Sequence, residues 1–432
     1  MNILKLFQTC QKVSTDSRFV EPGSLFFGLK GPNFDGSRFA AEALNKGAKY
    51  AVVDRRLDYH DSRMIPVDDT LTALQQLAMD YRQSLRNLKL IAVAGSNGKT
   101  TTRELIFRVL KADYKVSATQ GNLNNHIGLP LSVLAIDKTD EFAVIEMGAS
   151  RPGEHALLCE ISRPQYGILT NNGKDHLEGY GSEHAVIESN KEVYNYFERN
   201  NGLAFVNADD PVLIESSKTI KRVFYGSSVS TRRPENIASG RIISKFPTLT
   251  AAVETTQGAG FFEVKSRLFG SFQLYNILAA AAFGAHFKVA PDKIRQAVES
   301  YTPANNRSQF ITWHGNRVLL DAYNANPTSM ASMIRDFSEC PAENKTLVLG
   351  DMRELGTASE SEHMNIIRLL KKERFYENIF IGEEFGKCRG AVQGAWFASV
   401  AEAKKYITPA QFKNCFFLVK GSRAMALETI FM

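Results

Sequence analysis

The sequence predicts an α/β protein of three domains. They are a small N-terminal α/β domain, a central P-loop-type, mostly parallel sheet with added β-hairpins, and a C-terminal Rossmann-like doubly wound domain. Three observations predict this. The chain has 432 residues, too many for one ordinary core, and at roughly 150 residues per domain it divides into about three. Short apolar runs alternate with segments of helical spacing, the pattern of βαβ units. Polar loops repeatedly follow those runs, where open α/β sheets gather their ligands. The expected domains are 1–86, 87–310 and 311–432.

Composition narrows the function. A hydrophobic content of 44% with 23% charged residues is that of a soluble globular protein. The net charge of +6 suits anionic small ligands and does not call for nucleic acid; no dense Lys/Arg run is interleaved with aromatics. Cys10, Cys159, Cys340, Cys388 and Cys415 are scattered without CxxC spacing, so neither a disulfide framework nor a zinc site is expected. Reduced thiols in a cytoplasm are the expectation. The opening MNILKLFQTC lacks the apolar core and cleavage site of a signal peptide. The weakly polar run Ile277 to Ala285 is too short to span a bilayer, so no integral membrane segment is expected.

In the first segment, polar turn residues flank a short apolar strand within Ser24 to Gly31. Phe39 to Leu44 reads as helix, Tyr50 to Val53 as a strand ending at Asp54, and Leu71 to Leu85 as helix. Ser14, Thr15, Asp16 and Ser17, with Arg18 and Lys30, could hold an anion. On composition alone, turn chemistry with two solvated cations is the stronger reading.

The central segment opens on the apolar run Leu90 to Ala94, as expected of a strand buried on both faces. Gly95, Ser96, Asn97, Gly98, Lys99, Thr100 and Thr101 follow, then Leu105, Ile106, Val109 and Leu110 at helical spacing. A glycine loop between strand and helix turns backbone N–H groups and the positive helix end onto phosphate. Lys99 would sit on the outer phosphates of ATP and Thr100 on Mg²⁺. Val93 stands where the usual P-loop has its first glycine, so the loop is a shorter variant. Gly121 to Pro130 is rich in amides; Asn124 and Asn125 can orient a polar substrate, though a turn alone explains them. Phe142 to Glu146 is a buried-strand pattern ending on a carboxylate, placed as a metal ligand would be. His176 follows the run Tyr166 to Thr170 and could serve a second metal, although Mg²⁺ prefers oxygen ligands. Ala204 to Asn207 is a further strand, Val223 to Arg267 suggests hairpins, and Leu274 to Phe287 is an alanine-rich helix carrying Asn276. The loop Thr302 to Gln309 carries Arg307.

In the last segment, Val318 to Leu320 leads into Asp321, Asn324 and Asn326, with a helix from near Thr328. Thr346 to Leu349, Asn378 to Ile381 and Phe416 to Val419 read as strands of a second doubly wound unit. Asp321, Asp351 and Lys420 would otherwise be ordinary capping and turn residues.

Taken in order, TDSR with PGSLFFGLKG, GSNGKTTT, GNLNNHIGLP, VIEMGAS, HLEGYGS, DAYNANPTSM, LGDMRELG and VKGSR resemble the Mur ligase family over the whole chain. GNLNN, HLEGYG, YNANP and GDMRELG in that order resemble one branch of it. The DNPR-type motif of the sister ligase that adds the third amino acid is not found. The resemblance implies an ADP-forming amide ligase with ATP and Mg²⁺, acting on UDP-N-acetylmuramoyl-tripeptide and D-alanyl-D-alanine, cytoplasmic and monomeric. Ser14 to Arg18 and Lys30 would bind the UDP part. Gly95 to Thr101 would hold the phosphates, with Lys99 catalytic. Thr100 would hold one Mg²⁺, and Glu146 and His176, the latter also catalytic, would serve a second. Asn276 would touch adenine, Arg307 the phosphates and Asp321 the ribose, with Asn324 and Asn326 lining the closed site. The family also has a carbamoylated lysine after HLEGYG. An ungapped alignment puts Asn190 there and Lys191 one place later, so either Lys191 takes the role or the carbamate is absent. Gln273 replaces a usual asparagine. A catalytically silent paralogue that binds nucleotide or UDP-sugar, and a P-loop switch, are the alternative readings.

Overall fold

The computed structural model describes residues 2–56, 61–228, 236–258, 260–391 and 393–432. They form three sheets. The first has the order β1 (Val13–Ser14), β2 (Leu25–Phe27), β3 (Tyr50–Asp54), β4 (Met64–Val67), all parallel.

The central sheet comprises β5 (Lys89–Ala94), β6 (Val116–Ala118), β7 (Phe142–Glu146), β8 (Tyr166–Leu169), β9 (Leu203–Asn207), β10 (Lys221–Ser227), β11 (Asn236–Ser244), β12 (Thr250–Thr255) and β13 (Phe262–Lys265). Their order is β13-β12-β11-β10-β9-β8-β5-β7-β6. Pairing is parallel from β6 across to β11 and antiparallel only from β11 to β13. The antiparallel addition therefore begins at β11, later than the sequence suggests, because β10 runs parallel to both its neighbours. Residues 229–235 of the expected hairpin region lie outside the described residues.

The third sheet has β14 (Gln309–Trp313), β15 (Asn316–Asp321), β16 (Lys345–Gly350), β17 (Glu377–Ile381), β18 (Ala395–Phe397) and β19 (Phe416–Lys420), in the order β14-β15-β19-β16-β17-β18. Only β14 is antiparallel. Gln309 and Phe310, expected in the central segment, already belong to this sheet.

Side chains on both faces of the central sheet explain its continuous apolar strands. One face shares a core with the first sheet through Leu25, Phe27, Leu74, Leu90 and Ala92. The other face packs on the helix Gln273–His286. That helix is alanine-rich because it must lie close: a side chain on Gly284 would meet Val109 Cγ1 at 2.7 Å. Phe205 stacks on Phe283 with ring centroids 3.7 Å apart.

The helix Thr70–Ser84 joins the first two sheets, and Arg82 fastens it. The buried guanidinium donates to the carbonyls of Ser162 (2.8 Å), Leu85 (3.1 Å), Leu88 (3.3 Å) and Arg163 (3.3 Å), and to Gln165 Oε1 (3.2 Å). Burial pushes its pKa below the usual arginine value. No helix among the described residues is long and apolar enough to cross a membrane.

Candidate active site

β5 marks the switch point of the central sheet. The chain leaves it toward β6 and β7 on one side, and β8 lies on the other. The carboxyl ends of β7, β5, β8 and β9 therefore stand side by side and open a crevice. The third sheet presents its own carboxyl ends, at Asp321 and Lys420, to the same space. Between them is a cavity of about 850 Å³. Ser96, Asn97, Gly98, Lys99, Thr100, Thr101, Asn124, Asn125, Glu146, His176, Asn276, Arg307, Asp321, Asn324 and Asn326 all line it.

The glycine loop is held from behind by the segment after β8. Ser96 N donates to Asn171 O (2.9 Å) and Asn97 N to Asn171 Oδ1 (3.1 Å), while Asn171 Nδ2 donates to Asn97 O (2.9 Å). Ser96 Oγ donates to the buried Asp175 (2.5 Å) and accepts from Gly173 N (2.9 Å). Gly98, at φ +82°, caps the helix Lys99–Lys111 without a side chain, so the helix N-terminus stays open toward the cavity. The Lys99 ammonium lies over the loop, donating to Gly95 O (2.5 Å) and Ser96 O (2.9 Å). Behind it His155 is buried with Nδ1 3.2 Å from Ser189 O. Burial, reinforced by the charge of Lys99, lowers its pKa to about 4, so it adds no second cation at neutral pH.

Gly95 is required for two reasons. Its φ is +110°, and a Cβ there would stand 2.5 Å from Thr170 Oγ1 and 2.8 Å from Thr170 N. Gly95→Ala is expected to cost about 1–3 kcal/mol in backbone strain alone. It should also weaken binding of a non-hydrolysable ATP analogue at least tenfold by calorimetry.

Glu146 is 2% exposed. One oxygen accepts from Asn124 Nδ2 (2.8 Å); the other, Oε2, is buried without a hydrogen bond and lies 3.6 Å from Arg103 Nε. A buried carboxylate oxygen without a hydrogen bond, on a cavity that Thr100 also lines, fits a hard cation, which takes oxygen ligands. Among the described residues no three His, Cys, Asp or Glu side chains gather as a cage, so the protein supplies only part of a coordination shell. That too fits Mg²⁺, which keeps several waters and binds through phosphates. Arg103, 3% exposed, does not line the cavity but lies against Glu146, a neighbour that sequence reading missed. Its spacing from Lys99, four residues along one helix face, was the available signal.

His176 is reached from the third domain. Its Nδ1 lies 2.7 Å from Glu354 Oε2, and Glu178 N donates to Glu354 O (3.0 Å). The hydrogen bond from His176 holds the Glu354 carboxyl below its usual pKa. Three further contacts tie the same two domains. Asn326 Nδ2 donates to Asn97 Oδ1 (2.8 Å), Lys174 N to Thr328 Oγ1 (3.1 Å), and Lys174 Nζ pairs with Glu362 (2.8 Å).

The remaining expected residues are engaged locally. Asn276 accepts from Thr102 Oγ1 (3.0 Å) and donates to Gln273 Oε1 (2.7 Å), so Gln273 orients it beneath Gly98. Asn125 Oδ1 accepts from Gly128 N (2.9 Å) at the start of a helix. Arg307 stacks 3.7 Å over the Tyr323 ring. Asp321 accepts from Ser308 N (2.9 Å) and from the buried Lys420 ammonium (2.5 Å), pinning two adjacent strand ends. Asn326 caps the helix Pro327–Ser338 while reaching Asn97. Ser14 to Arg18 and Lys30 do not line the cavity; they lie at the first sheet. There Asp16 caps Arg18 N (2.9 Å) and pairs with its guanidinium (2.6 Å). The hydrogen bond from Arg18 lowers the Asp16 pKa to about 2.

Comparison with known proteins places this arrangement. Family profiles described as "Mur ligase family, catalytic domain", "Mur ligase middle domain" and "Mur ligase, glutamate ligase domain" match residues 9–82, 93–284 and 306–423. The UDP-N-acetylmuramoyl-tripeptide–D-alanyl-D-alanine ligase of Bacillus subtilis is 34% identical over 431 residues, covering 97% of this chain and 92% of that protein. The chain belongs to the Mur ligase family.

The Mur ligase of the same name from Escherichia coli is 32% identical, covering 98% of this chain and 93% of that protein. Among solved Mur ligase structures, MurF from Acinetobacter baumannii superposes with a TM-score of 0.87 at 28% identity, covering 99% of this chain and 96% of that one. MurF from Thermotoga maritima in complex with ADP gives 0.83 at 28% identity, covering 100% and 97%.

One expectation is corrected by geometry. Lys191 does not reach the site. It lies on the helix Glu183–Asn200, whose buried face carries Val186, Ser189, Asn190, Val193 and Tyr194. Position 191 is turned off that face, and its ammonium lies 4.0 Å from Glu188 at the surface. Asn190 points inward, donating to Asn172 Oδ1 (2.8 Å).

Proposed function

We infer that this protein is an ATP-dependent, ADP-forming ligase that joins D-alanyl-D-alanine to UDP-N-acetylmuramoyl-tripeptide in peptidoglycan precursor synthesis. One observation carries the reading. In a chain related over its full length to ligases of that name, the glycine loop, the ends of β7 and β8 and the third domain meet on one cavity.

The chemistry accounts for the residue types. A carboxylate is a poor electrophile. Attack of a tripeptide carboxylate oxygen on the γ-phosphorus breaks the bond to ADP and gives an acyl phosphate. The amine of D-alanyl-D-alanine then adds to that carbonyl. The tetrahedral intermediate expels phosphate and the amine loses a proton, leaving the amide. Each step crowds anions together, and Lys99 with the open helix N-terminus neutralises them. Thr100 would hold one Mg²⁺ and Glu146 with His176 a second, and when bound the ions supply further charge neutralisation to the phosphates. The contacts from Asn326 and Glu354 hold the third domain against the loop, where it keeps water from the acyl phosphate.

The assignments by domain belong to the same proposal. Residues 1–86 bind the UDP part through Ser14 to Arg18 and Lys30, with Asn124 and Asn125 facing the peptide. Residues 87–310 bind ATP, with Asn276 toward adenine and Arg307 toward the phosphates. Residues 311–432 receive D-alanyl-D-alanine, with Asp321 toward the ribose. Lys191 stands outside this set. The enzyme works as a cytoplasmic monomer.

The test is incubation with ATP, Mg²⁺, UDP-N-acetylmuramoyl-tripeptide and D-alanyl-D-alanine. Phosphate release that requires both acceptors, with the pentapeptide product by mass spectrometry, is expected. Nucleotide binding without turnover would favour a silent paralogue, and phosphate release without acceptors a switch protein.

A further inference from the structure

The motif GDMRELG, Gly350 to Gly356, enters the chemistry above only through the domain contact of Glu354, and its loop is held by several hydrogen bonds within the third domain. Asp351 is fully buried and accepts from Glu384 N (3.1 Å) and Phe385 N (3.0 Å). Met352 N donates to Nε2 of the buried His363 (3.0 Å), and Arg353 N donates to Ser422 Oγ (2.8 Å). Glu354 follows in the left-handed region, at φ +64°, which a glutamate adopts only under constraint. Gly356 lies flat on the central domain, where a Cβ would stand 3.2 Å from Glu178 Cα. The loop is thus braced from its own domain, and its strained residue is delivered across the cleft. Both functional groups of that residue are used there: the carboxylate on His176 Nδ1 at 2.7 Å, the carbonyl on Glu178 N at 3.0 Å.

We propose that Glu354 is a positioning residue that couples docking of the third domain to the orientation of His176. An imidazole that donates from Nδ1 to a carboxylate is fixed in ring angle and tautomer, which leaves Nε2 as the acceptor. His176 lines the cavity, so the group that meets the ligands is set by a residue that arrives only when the domains are together. Glycine or asparagine adopts this backbone conformation more readily, and a glutamate held there fits a side chain kept for its carboxylate. The inference rests on the ligase reading.

The experiment compares wild type, Glu354→Gln, His176→Gln and the double variant, in kinetics and in ¹⁵N imidazole spectra with an ATP analogue bound. Glu354→Gln is expected to lower kcat about 10- to 100-fold with KM for ATP and tripeptide within about twofold, the range for carboxylates that orient a working histidine. The double variant should be no slower than His176→Gln. The spectra should show His176 protonated at Nδ1 in wild type and as a tautomer mixture in Glu354→Gln; being activity-independent, they also decide the matter if kinetics are compromised by stability. A Glu354→Gln enzyme within twofold of wild type, losses that multiply in the double variant, or an unchanged tautomer would overturn the proposal. An inactive wild type would instead count against the ligase reading.

Discussion

Replacing Lys99 with methionine is expected to lower kcat/KM for ligation by about 10²–10³-fold, the effect of removing one preorganised donor to a developing anion. The stem length is kept and methionine is a good helix former, so the helix Lys99–Lys111 should persist. What is lost is the ammonium, which the loop carbonyls of Gly95 and Ser96 hold at the mouth of the helix N-terminus. In the proposed reaction the γ-phosphate, the attacking carboxylate and the acyl phosphate would all bring negative charge to that point. Steady-state kinetics with circular dichroism as a folding control make the measurement. Wild-type kcat/KM in the variant would remove Lys99 from the machinery.

The largest effect on stability is expected at Arg82. Arg82→Met strips a buried charge from four carbonyls and one amide oxygen at once. Two of those carbonyls, Ser162 and Arg163, close the helix Glu154–Ser162, whose negative end the guanidinium faces. Methionine fills much of the volume but leaves the oxygens unsatisfied, and each buried unsatisfied group costs about 1–3 kcal/mol. A net loss of about 3–5 kcal/mol is expected after relaxation and water entry. Because three sheets need not unfold together, it should appear as a lowered first transition in calorimetry. Ligation by the remaining folded protein below that transition should be near normal, since Arg82 does not line the cavity. An unchanged first transition would show that the joint draws its stability elsewhere.

What could be read from sequence follows from how locally each feature is encoded. β5 and the loop after it are legible because a strand buried on both faces must be an unbroken apolar run, and Gly95 and Gly98 mark the turn. Glu146 is legible because it ends β7, and His176 because it lies in the loop that follows β8, at the same edge of the parallel sheet. Glu354 and Arg103 are not, because their meaning comes from partners far away in the chain or on a neighbouring strand. Arg82 looks like any helix-end cation until its five acceptors are in place. Lys191 misleads for the opposite reason. Alignment sees a lysine one place late, whereas a helix turns about 100° per residue, enough to move it from core to solvent. The edge strands β6 and β18, three residues each and without fully buried positions, carry too little apolar signal to stand out.

The measurement that bears most directly on the account follows the oxygen atoms. The tripeptide carboxylate is labelled with oxygen-18, and ligation is run with unlabelled ATP and D-alanyl-D-alanine. If the carboxylate attacks the γ-phosphorus, one label per turnover leaves in inorganic phosphate and the amide keeps the other. Unlabelled phosphate, or label carried away in AMP, would contradict an acyl phosphate formed on the Gly95 to Thr101 loop.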